Sequence, residues 1–203
     1  MSDTTTSSHE TTIKALPMLV AEPAALGLFG LAVAAFVLTA AYLGWASAQK
    51  SLMIPWILMF GATAQLIAGI TEFKRHNIFG ATVFNVYAMT MYSIAITLLI
   101  SIFGGQHVDT DYYAYGLVAI LIFSLIATIA SMMTNKTLFT ILIFVDMAVI
   151  LLILYYLLGF SAVPAGIFLL LTSLGAFYAA AAILINTMAG KPVIPLGKPL
   201  WKP

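Results

Sequence analysis

Six long apolar runs, separated by short polar joints, restrict what this chain can fold into more than any other feature. They cover residues 23–45, 53–70, 84–103, 112–133, 138–160 and 163–188. A helix needs about 20 apolar residues to cross a bilayer core of about 30 Å. The runs are continuously apolar and lack the alternation that is typical of membrane β-strands. We therefore predict an all-α membrane protein with six transmembrane helices.

The composition excludes several kinds of chemistry. Only 7% of the residues are charged, whereas soluble domains carry about 25%, so lipid is the expected solvent. The chain has no cysteine, which removes disulfides, thiolate metal sites and thiol nucleophiles. His9, His76 and His107 have no acidic partners at ligand spacing. Because catalytic triads, phosphate loops and basic patches are also missing, we expect no enzyme activity, cofactor, metal site or nucleic-acid partner.

The distribution of basic residues predicts the orientation. An even number of spans puts both termini on one side, and the basic residues concentrate there: Lys14, Lys74, Arg75, Lys136, Lys191, Lys198 and Lys202. Only Lys50 falls on the other side, where the loop after the third span carries Asp109 and Asp111. Cytoplasmic loops carry the excess of Lys and Arg. We expect cytoplasmic termini, a disordered tail over 1–20, a transmembrane domain over 21–190 and a cytoplasmic C-terminal tail over 191–203.

Three acidic residues lie at or near membrane depth, where ionisable groups are candidates for function. Asp146 is in the middle of the fifth span, Glu72 at the end of the second, and Glu22 at the entrance of the first. No Lys or Arg lies inside a span. An anion in this membrane would therefore be held by hydrogen-bond donors and helix N-termini, or would cross as the neutral acid. Asp146, without a basic partner, is either a proton-coupling group or a neutral structural acid.

Glu22 and Gln65 each allow two interpretations. Glu22 precedes Pro23, so it is either a cap of the first helix or a group at the mouth of a path. Gln65 lies on one helix face with Gly61, Gly69 and Glu72. Small residues let a backbone or a ligand approach closely. This face is therefore either a helix interface held together by Gln65 or part of a path.

The third span carries a polar stripe of Thr82, Asn85, Thr90, Ser93 and Thr97. At 100° per residue these side chains fall within an arc of about 140°, and Tyr87 lies at its margin. A continuous row of hydroxyl and amide groups favours a permeation path. The alternative is that each Ser or Thr bonds back to a carbonyl of its own helix.

These motifs resemble those of the acetate uptake transporter family, also called the succinate–acetate permease or YaaH-like family. The family opens its first helix with Asn-Pro-Ala-Pro-Leu-Gly-Leu, and the stretch here is Glu22-Pro23-Ala24-Ala25-Leu26-Gly27-Leu28. A second signature matches Gly61, Ala64, Gln65, Ala68, Gly69, Glu72, Lys74, Asn77, Phe79, Gly80, Thr82, Phe84 and Tyr87. The last matches are Ala176-Phe177-Tyr178, Asn186 and Val193-Ile194-Pro195-Leu196-Gly197. The resemblance spans about residues 21 to 197.

The resemblance implies a homohexameric ring in the plasma membrane, with a path through each six-helix protomer for acetate and related short carboxylates such as succinate. Members of the family are described both as proton symporters and as anion channels. The path residues that we expect are Glu22, Leu26, Gln65, Glu72, Asn77, Thr82, Asn85 and Ser93. The family's apolar constriction corresponds to Leu31, Tyr87 and a fifth-span position near Ala148 and Val149.

The chain departs from the family pattern at three positions. Glu22 replaces an Asn, Ala25 a Pro and Leu31 the Phe of the constriction. A charged Glu22 at the mouth would repel an anion, so Glu22 and Asp146 together favour co-transport of a proton or passage of the neutral acid. A pathway for ammonium or another cation would also suit these acids. The third alternative is a membrane component that transports nothing, in which the polar groups only join helices.

Overall fold

The computed structural model describes residues 20–46, 50–104 and 110–202, without the side chains of Lys50 and Ser51. This part of the chain contains no strand and six helices long and apolar enough to cross a membrane. They are α1 (Ala24–Tyr42), α2 (Ile54–Lys74), α3 (Ile78–Phe103), α4 (Asp111–Ser131), α5 (Lys136–Leu158) and α6 (Val163–Ala189). The six predicted helices are confirmed. The predicted tail over 1–20 lies outside the described residues except for Val20.

Local capping chemistry sets the helix boundaries. Asn77 precedes α3, and its side-chain oxygen accepts a hydrogen bond from the Gly80 N–H at 3.1 Å. Asn135 caps α5 in the same way through the Leu138 N–H at 2.9 Å. Gly159 ends α5 in the left-handed conformation with φ of 69°, which glycine adopts without steric cost. The cap at Asn77 explains why α3 begins six residues before the predicted start at residue 84.

The helix α2 is irregular in its first half. A 3₁₀ turn over Lys50–Met53 leads into it, and Ile57–Ala64 is π-helical. Such segments are rare and occur often at functional sites. Gly61 lies inside this segment, where a β-carbon would stand 2.8 Å from Cβ of Ala34 on α1. Its missing side chain lets α1 and α2 approach closely just before Gln65.

The helix α1 is the centre of the bundle and packs against α6 and α2. Ser173 of α6 donates a hydrogen bond to the carbonyl of Ala32 at 2.8 Å, and Gly166 of α6 contacts Leu43 just after α1. The helices α4 and α5 form a second close pair, and α5 joins α6. By contrast, α3 and α4 touch only lightly, and a groove separates them.

The helices alternate in direction. The starts of α1, α3 and α5 meet the ends of α2 and α6 around a cavity that is lined by Ala24, Gly80, Glu72, Leu138 and Ile183. We call this side of the bundle the Glu22 end. At the opposite side, which we call the Tyr42 end, the ends of α1, α3 and α5 meet the starts of α2 and α4.

The segment after α6 runs back over the Glu22 end. The side chain of Asn186 accepts hydrogen bonds from the N–H groups of Val193 at 2.7 Å and Ile194 at 2.8 Å. Thr137 donates to the carbonyl of Leu196, and the Leu200 N–H donates to the carbonyl of Met132, both at 2.8 Å. The segment over 191–202 is thus tied to α6, to the turn between α4 and α5 and to the start of α5; its cytoplasmic location stays a prediction.

Candidate functional site

A cavity of about 70 Å³ lies at the Glu22 end, among α1, α2, α3, α5 and α6. We call it the Gln65 cavity. Its polar lining comes from Gln65, Glu72, Asn77 and Tyr87. Its apolar lining comes from Ala24, Leu28, Leu31, Phe79, Val83, Phe84, Leu138, Ile141, Leu142 and Ile183. An apolar chamber with a few polar groups is typical of a site for a small amphipathic ligand.

Two buried oxygen atoms of this cavity have no hydrogen-bond partner among the described residues. Gln65 is 0% exposed and donates its amide N–H to the carbonyl of Gly61 at 2.6 Å, which leaves its Oε1 unpaired. Glu72 is 1% exposed and accepts from Asn77 Nδ2 at 3.0 Å through Oε2, which leaves Oε1 unpaired. An unpaired buried acceptor costs about 1–3 kcal/mol. Both oxygens therefore favour an occupant that carries hydrogen-bond donors.

The chain positions Glu72 through Asn77 and Gly80. Asn77 caps α3 with its side-chain oxygen and donates its amide N–H to Glu72. A β-carbon on Gly80 would lie 3.0 Å from Cδ of Glu72, so only glycine leaves room for the carboxyl group here. The sequence pattern around Glu72 thus has a structural cause, because the side chain of Asn77 both caps α3 and donates a hydrogen bond to Glu72.

Glu22 lies at the mouth of the bundle, where it serves as a cap and as one half of an ion pair. Its Oε1 accepts from the Ala24 N–H at 3.2 Å, at the start of α1. Its Oε2 lies 2.5 Å from Nη1 of Arg75, and the two side chains are 29% and 33% exposed. Arg75 therefore offsets the negative charge that the sequence alone would leave to repel an anion.

Leu31 and Tyr87 lie at the inner limit of the Gln65 cavity. Beyond them, at the Tyr42 end, is a second cavity of about 50 Å³, which we call the Tyr42 cavity and whose lining includes Leu38, Tyr42, Ile94, Tyr113 and Tyr156. Leu31 and Leu38 are seven residues apart on α1, as are Tyr87 and Ile94 on α3, which corresponds to about 10 Å along a helix. The turns between them contain the buried residues Ala34, Ala35 and Met91. On α5, the buried residues Val149 and Leu152 lie between Leu142, which lines the Gln65 cavity, and Tyr156, which lines the Tyr42 cavity.

This packed layer separates the two cavities, and we call it the barrier. Leu31 and Tyr87 line the Gln65 cavity at the edge of this layer, and their part in a constriction stays a prediction. Ala148 and Val149, the other predicted constriction positions, are buried in the core but are not among the residues that line either cavity. Their part in a constriction stays a prediction.

Asp146 is connected to Tyr87 through a side chain that the sequence analysis missed. Asp146 is 5% exposed and accepts hydrogen bonds from Ser124 through Oδ1 and from Thr128 through Oδ2, the latter at 2.7 Å. The hydroxyl groups of Tyr87 and Ser124 are 2.7 Å apart. Ser124 and Thr128 lie four residues apart on α4, hence on one face, and this spacing in an apolar run is the signal that could have revealed them.

The polar stripe of α3 faces a different place. Asn85, Thr90, Ser93 and Thr97 line a groove of about 700 Å³ between α3 and α4. Asn85 and Ser93 donate to carbonyls one turn back on their own helix, at 2.7 Å and 3.0 Å. Thr82 is exposed, as is Leu26 on α1. Of the expected path residues, the structure gathers Gln65, Glu72 and Asn77 around one cavity and puts these others elsewhere.

Comparisons with known proteins agree on one family. The model of the GPR1/FUN34/yaaH family matches residues 8–197. The Acetate permease A of Emericella nidulans is 28% identical over 205 residues, which cover 90% of this chain and 68% of that protein. A solved structure of the bacterial acetate channel SatP superposes with a TM-score of 0.82 at 24% identity, covering 88% of this chain and all of that one.

Proposed function

The chain belongs to the GPR1/FUN34/yaaH family, and from this premise we propose that it carries acetate and related short monocarboxylates across the plasma membrane. The observation that supports this most is the Gln65 cavity. Its apolar wall suits a methyl group, and its polar groups Gln65, Glu72, Asn77 and Tyr87 suit a carboxyl group. The two relatives described above are named as an acetate permease and an acetate channel.

The unpaired oxygens of the Gln65 cavity favour transport together with a proton. An ionised acetate offers only acceptors, so it cannot satisfy Oε1 of Gln65 or of Glu72. A proton held between Glu72 and the substrate supplies one O–H donor, which removes the conflict at Glu72 and leaves Oε1 of Gln65 as the one acceptor still without a donor. We infer that the unit held in the cavity is acetate plus one proton.

Passage requires the barrier to open. Its apolar side chains strip water from a carboxylate, as in a pore that is gated by dewetting. Leu31 and Tyr87 meet the substrate first when it approaches from the Gln65 cavity. The Tyr42 cavity then receives it on the other side, where tyrosine hydroxyl groups are available as donors.

We further propose that the Glu22 end faces the cytoplasm and that the protein is a homohexamer. The orientation is supported by the basic residues near that end, among them Lys74, Arg75, Lys136, Lys191 and Lys198, because cytoplasmic loops carry the excess of Lys and Arg. The hexamer is supported by the family resemblance and by the groove between α3 and α4, which a neighbouring copy would cover. Native mass spectrometry of the detergent-extracted protein tests the hexamer, and a monomer would contradict it.

A pathway for ammonium is the second candidate, and the same two oxygens favour it. Ammonium carries four N–H donors and no acceptor, so it would satisfy Oε1 of Gln65 and Oε1 of Glu72 directly. The apolar lining of the cavity, however, gives no advantage to an ion without a hydrocarbon part.

Uptake into proteoliposomes distinguishes these functions. We expect labelled acetate to enter faster than in protein-free vesicles, and faster again with an inward proton gradient. Glu72→Gln should slow uptake about tenfold, since it removes the proton and about one hydrogen bond to a charged group. Ser93→Ala, in the groove between α3 and α4, is the matched control and should leave uptake unchanged. Wild-type uptake no faster than in protein-free vesicles contradicts the function, and ammonium current in its place supports the second candidate.

A further inference from the structure

We propose that Asp146 controls the direction of the Tyr87 hydroxyl group through Ser124, so that a proton on Asp146 makes Tyr87 a hydrogen-bond donor to a carboxylate at the barrier. This inference rests on the proposed carboxylate transport and adds to it a positioning role for Asp146 and Ser124. Tyr87 is the residue of the three that lines the Gln65 cavity.

The geometry forms an unbranched row of hydrogen-bonding groups. Tyr87 and Ser124 have their oxygens 2.7 Å apart, Ser124 contacts Oδ1 of Asp146, and Thr128 donates to Oδ2 at 2.7 Å. All four side chains are buried. A serine hydroxyl group has one hydrogen and can also accept. Ser124 therefore donates to only one of its two neighbours at a time and accepts from the other.

With Asp146 ionised, both carboxylate oxygens require donors. Ser124 and Thr128 supply them, and the single hydrogen of Ser124 is then used. The oxygen of Ser124 accepts from the Tyr87 hydroxyl group, whose hydrogen points away from the Gln65 cavity. Tyr87 then presents only lone pairs to a carboxylate in that cavity, which disfavours the anion at the edge of the barrier.

With Asp146 protonated, the order of donors reverses. The Asp146 O–H donates to Ser124, Ser124 rotates and donates to the Tyr87 oxygen, and the Tyr87 hydrogen becomes free to point into the cavity. One proton is added, and it stays on Asp146, while each hydroxyl group keeps its own hydrogen. The reversal needs only rotations about C–O bonds, so it occurs without movement of the helices.

The surroundings of Asp146 offer no competing charge. The helices packed against α5 are α4 and α6, and α3 reaches Asp146 through Tyr87. Apart from Asp146 itself, the charged residues of α4 and α5 are Asp111 and Lys136 at their first positions, and α3 and α6 have none. Lys136 is ten residues from Asp146, about 15 Å along the helix. Tyr87 is thus the titratable group facing this acid, and the remaining titratable groups of these helices are tyrosines farther along.

Paired substitutions separate this role from a structural one. Ser124→Ala and Thr128→Val each remove one hydrogen bond to Asp146, but only Ser124 lies between Asp146 and Tyr87. Asp146→Asn carries an amide N–H donor in place of the carboxyl O–H, so it imitates the protonated state. The measured quantity is the ratio of acetate uptake at one acidic pH, below the midpoints of all variants, to uptake at one higher pH, above all of these midpoints. All variants meet the same mixture of acetate and acetic acid, so differences in this ratio belong to the protein.

We expect the ratio to fall about tenfold or more in Ser124→Ala and Asp146→Asn, the effect of one hydrogen bond to a charged group. Thr128→Val should keep the wild-type ratio, whatever the position of its midpoint. Equal ratios in Ser124→Ala and wild type would overturn the inference, and so would equal losses in Ser124→Ala and Thr128→Val. If Asp146→Asn fails to fold, the comparison of Ser124→Ala with Thr128→Val still tests whether Ser124 connects Asp146 to Tyr87.

Infrared difference spectra between acidic and neutral pH supply a test that needs no transport. Bands assigned to Tyr87, by their loss in Tyr87→Phe, should shift with pH in the wild type and in Thr128→Val. They should stay fixed in Ser124→Ala. If the wild type carried no acetate while these bands shifted, the proposed function would fail, and only the control of the Tyr87 hydroxyl group by Asp146 would stand. Fixed bands in the wild type would refute the inference alone.

Discussion

Removing either partner of the ion pair between Glu22 and Arg75 should change acetate uptake, and the two changes should have opposite signs. The two side chains lie 2.5 Å apart at the Glu22 end, within electrostatic reach of Glu72 in the Gln65 cavity, so their charges cancel for an approaching anion. Glu22→Asn leaves the positive charge of Arg75, and Arg75→Gln leaves the negative charge of Glu22. Acetate uptake should rise in the first variant and fall in the second. The double variant should return towards the wild type.

The size of the effect follows from exposure. For a separation of about 8 Å between a unit charge and an anion, the interaction energy is about 0.5 kcal/mol in water. It is about 2 kcal/mol at an effective dielectric constant of about 20. Glu22 and Arg75 are 29% and 33% exposed, so solvent screening moves the value towards the lower figure. We therefore expect a change in initial uptake of about two- to tenfold in each direction.

Initial uptake of labelled acetate into proteoliposomes at low ionic strength measures this change. The difference between the single variants should shrink at high salt, where the Debye length is about 3 Å at 1 M. Stability should change little in Glu22→Asn, because Asn caps a helix as well as an acid does. Changes of the same sign in both single variants would refute the reasoning. Loss of the response to a proton gradient in Glu22→Asn alone would make Glu22 a coupling site.

Two further substitutions test the packing of the Gln65 cavity and the attachment of the C-terminal segment. A β-carbon on Gly27 would lie 2.7 Å from Cδ1 of Phe84, so Gly27→Ala should push this ring into the Gln65 cavity and slow acetate uptake. A β-carbon on Gly116 would have no atom of the described residues within 4 Å, so Gly116→Ala should leave uptake unchanged. Equal uptake in the two variants would contradict the assignment of the cavity. Asn186→Ala removes three hydrogen bonds to the C-terminal segment and should lower the free energy of unfolding by about 2–3 kcal/mol. Thermal unfolding measures this loss, which Thr187→Ala next to it should not show.

The fold could be predicted well from the sequence because lipid imposes a simple rule. Each helix must present an apolar stretch of fixed length, and the six predicted runs correspond to the six helices. The family membership predicted from the motifs is confirmed. Boundaries were harder to predict, because Asn77 and the first residues of α3 include polar groups that resemble a loop. Docking of residues 191–202 depends on long-range partners such as Met132 and Thr137, which no local pattern reveals.

The site was harder to predict than the fold, for a geometric reason. Helical periodicity places residues on a face but does not say which neighbour covers that face. It grouped Gln65 and Glu72 correctly on one side of α2, and the structure has both at one cavity. The same reasoning predicts a path along Asn85 and Ser93, which line a separate groove in the structure, and their part in a path stays a prediction. Ser124 could not be predicted from helical periodicity, because its partners, Tyr87 and Asp146, lie on other helices.

The barrier gives a last prediction, which separates gating from stability. Leu31 is buried between the Gln65 cavity and the packed layer, so Leu31→Ala should both destabilise the protein and shorten the apolar barrier. Leu169 of α6 is equally buried but does not line either cavity. Each Leu→Ala change should cost about 2–5 kcal/mol of stability, measured by thermal unfolding. Only Leu31→Ala should also raise acetate uptake, since a shorter apolar segment is easier to hydrate. Faster uptake in both variants would show that looser packing anywhere opens the path, and a barrier located at Leu31 would then be refuted.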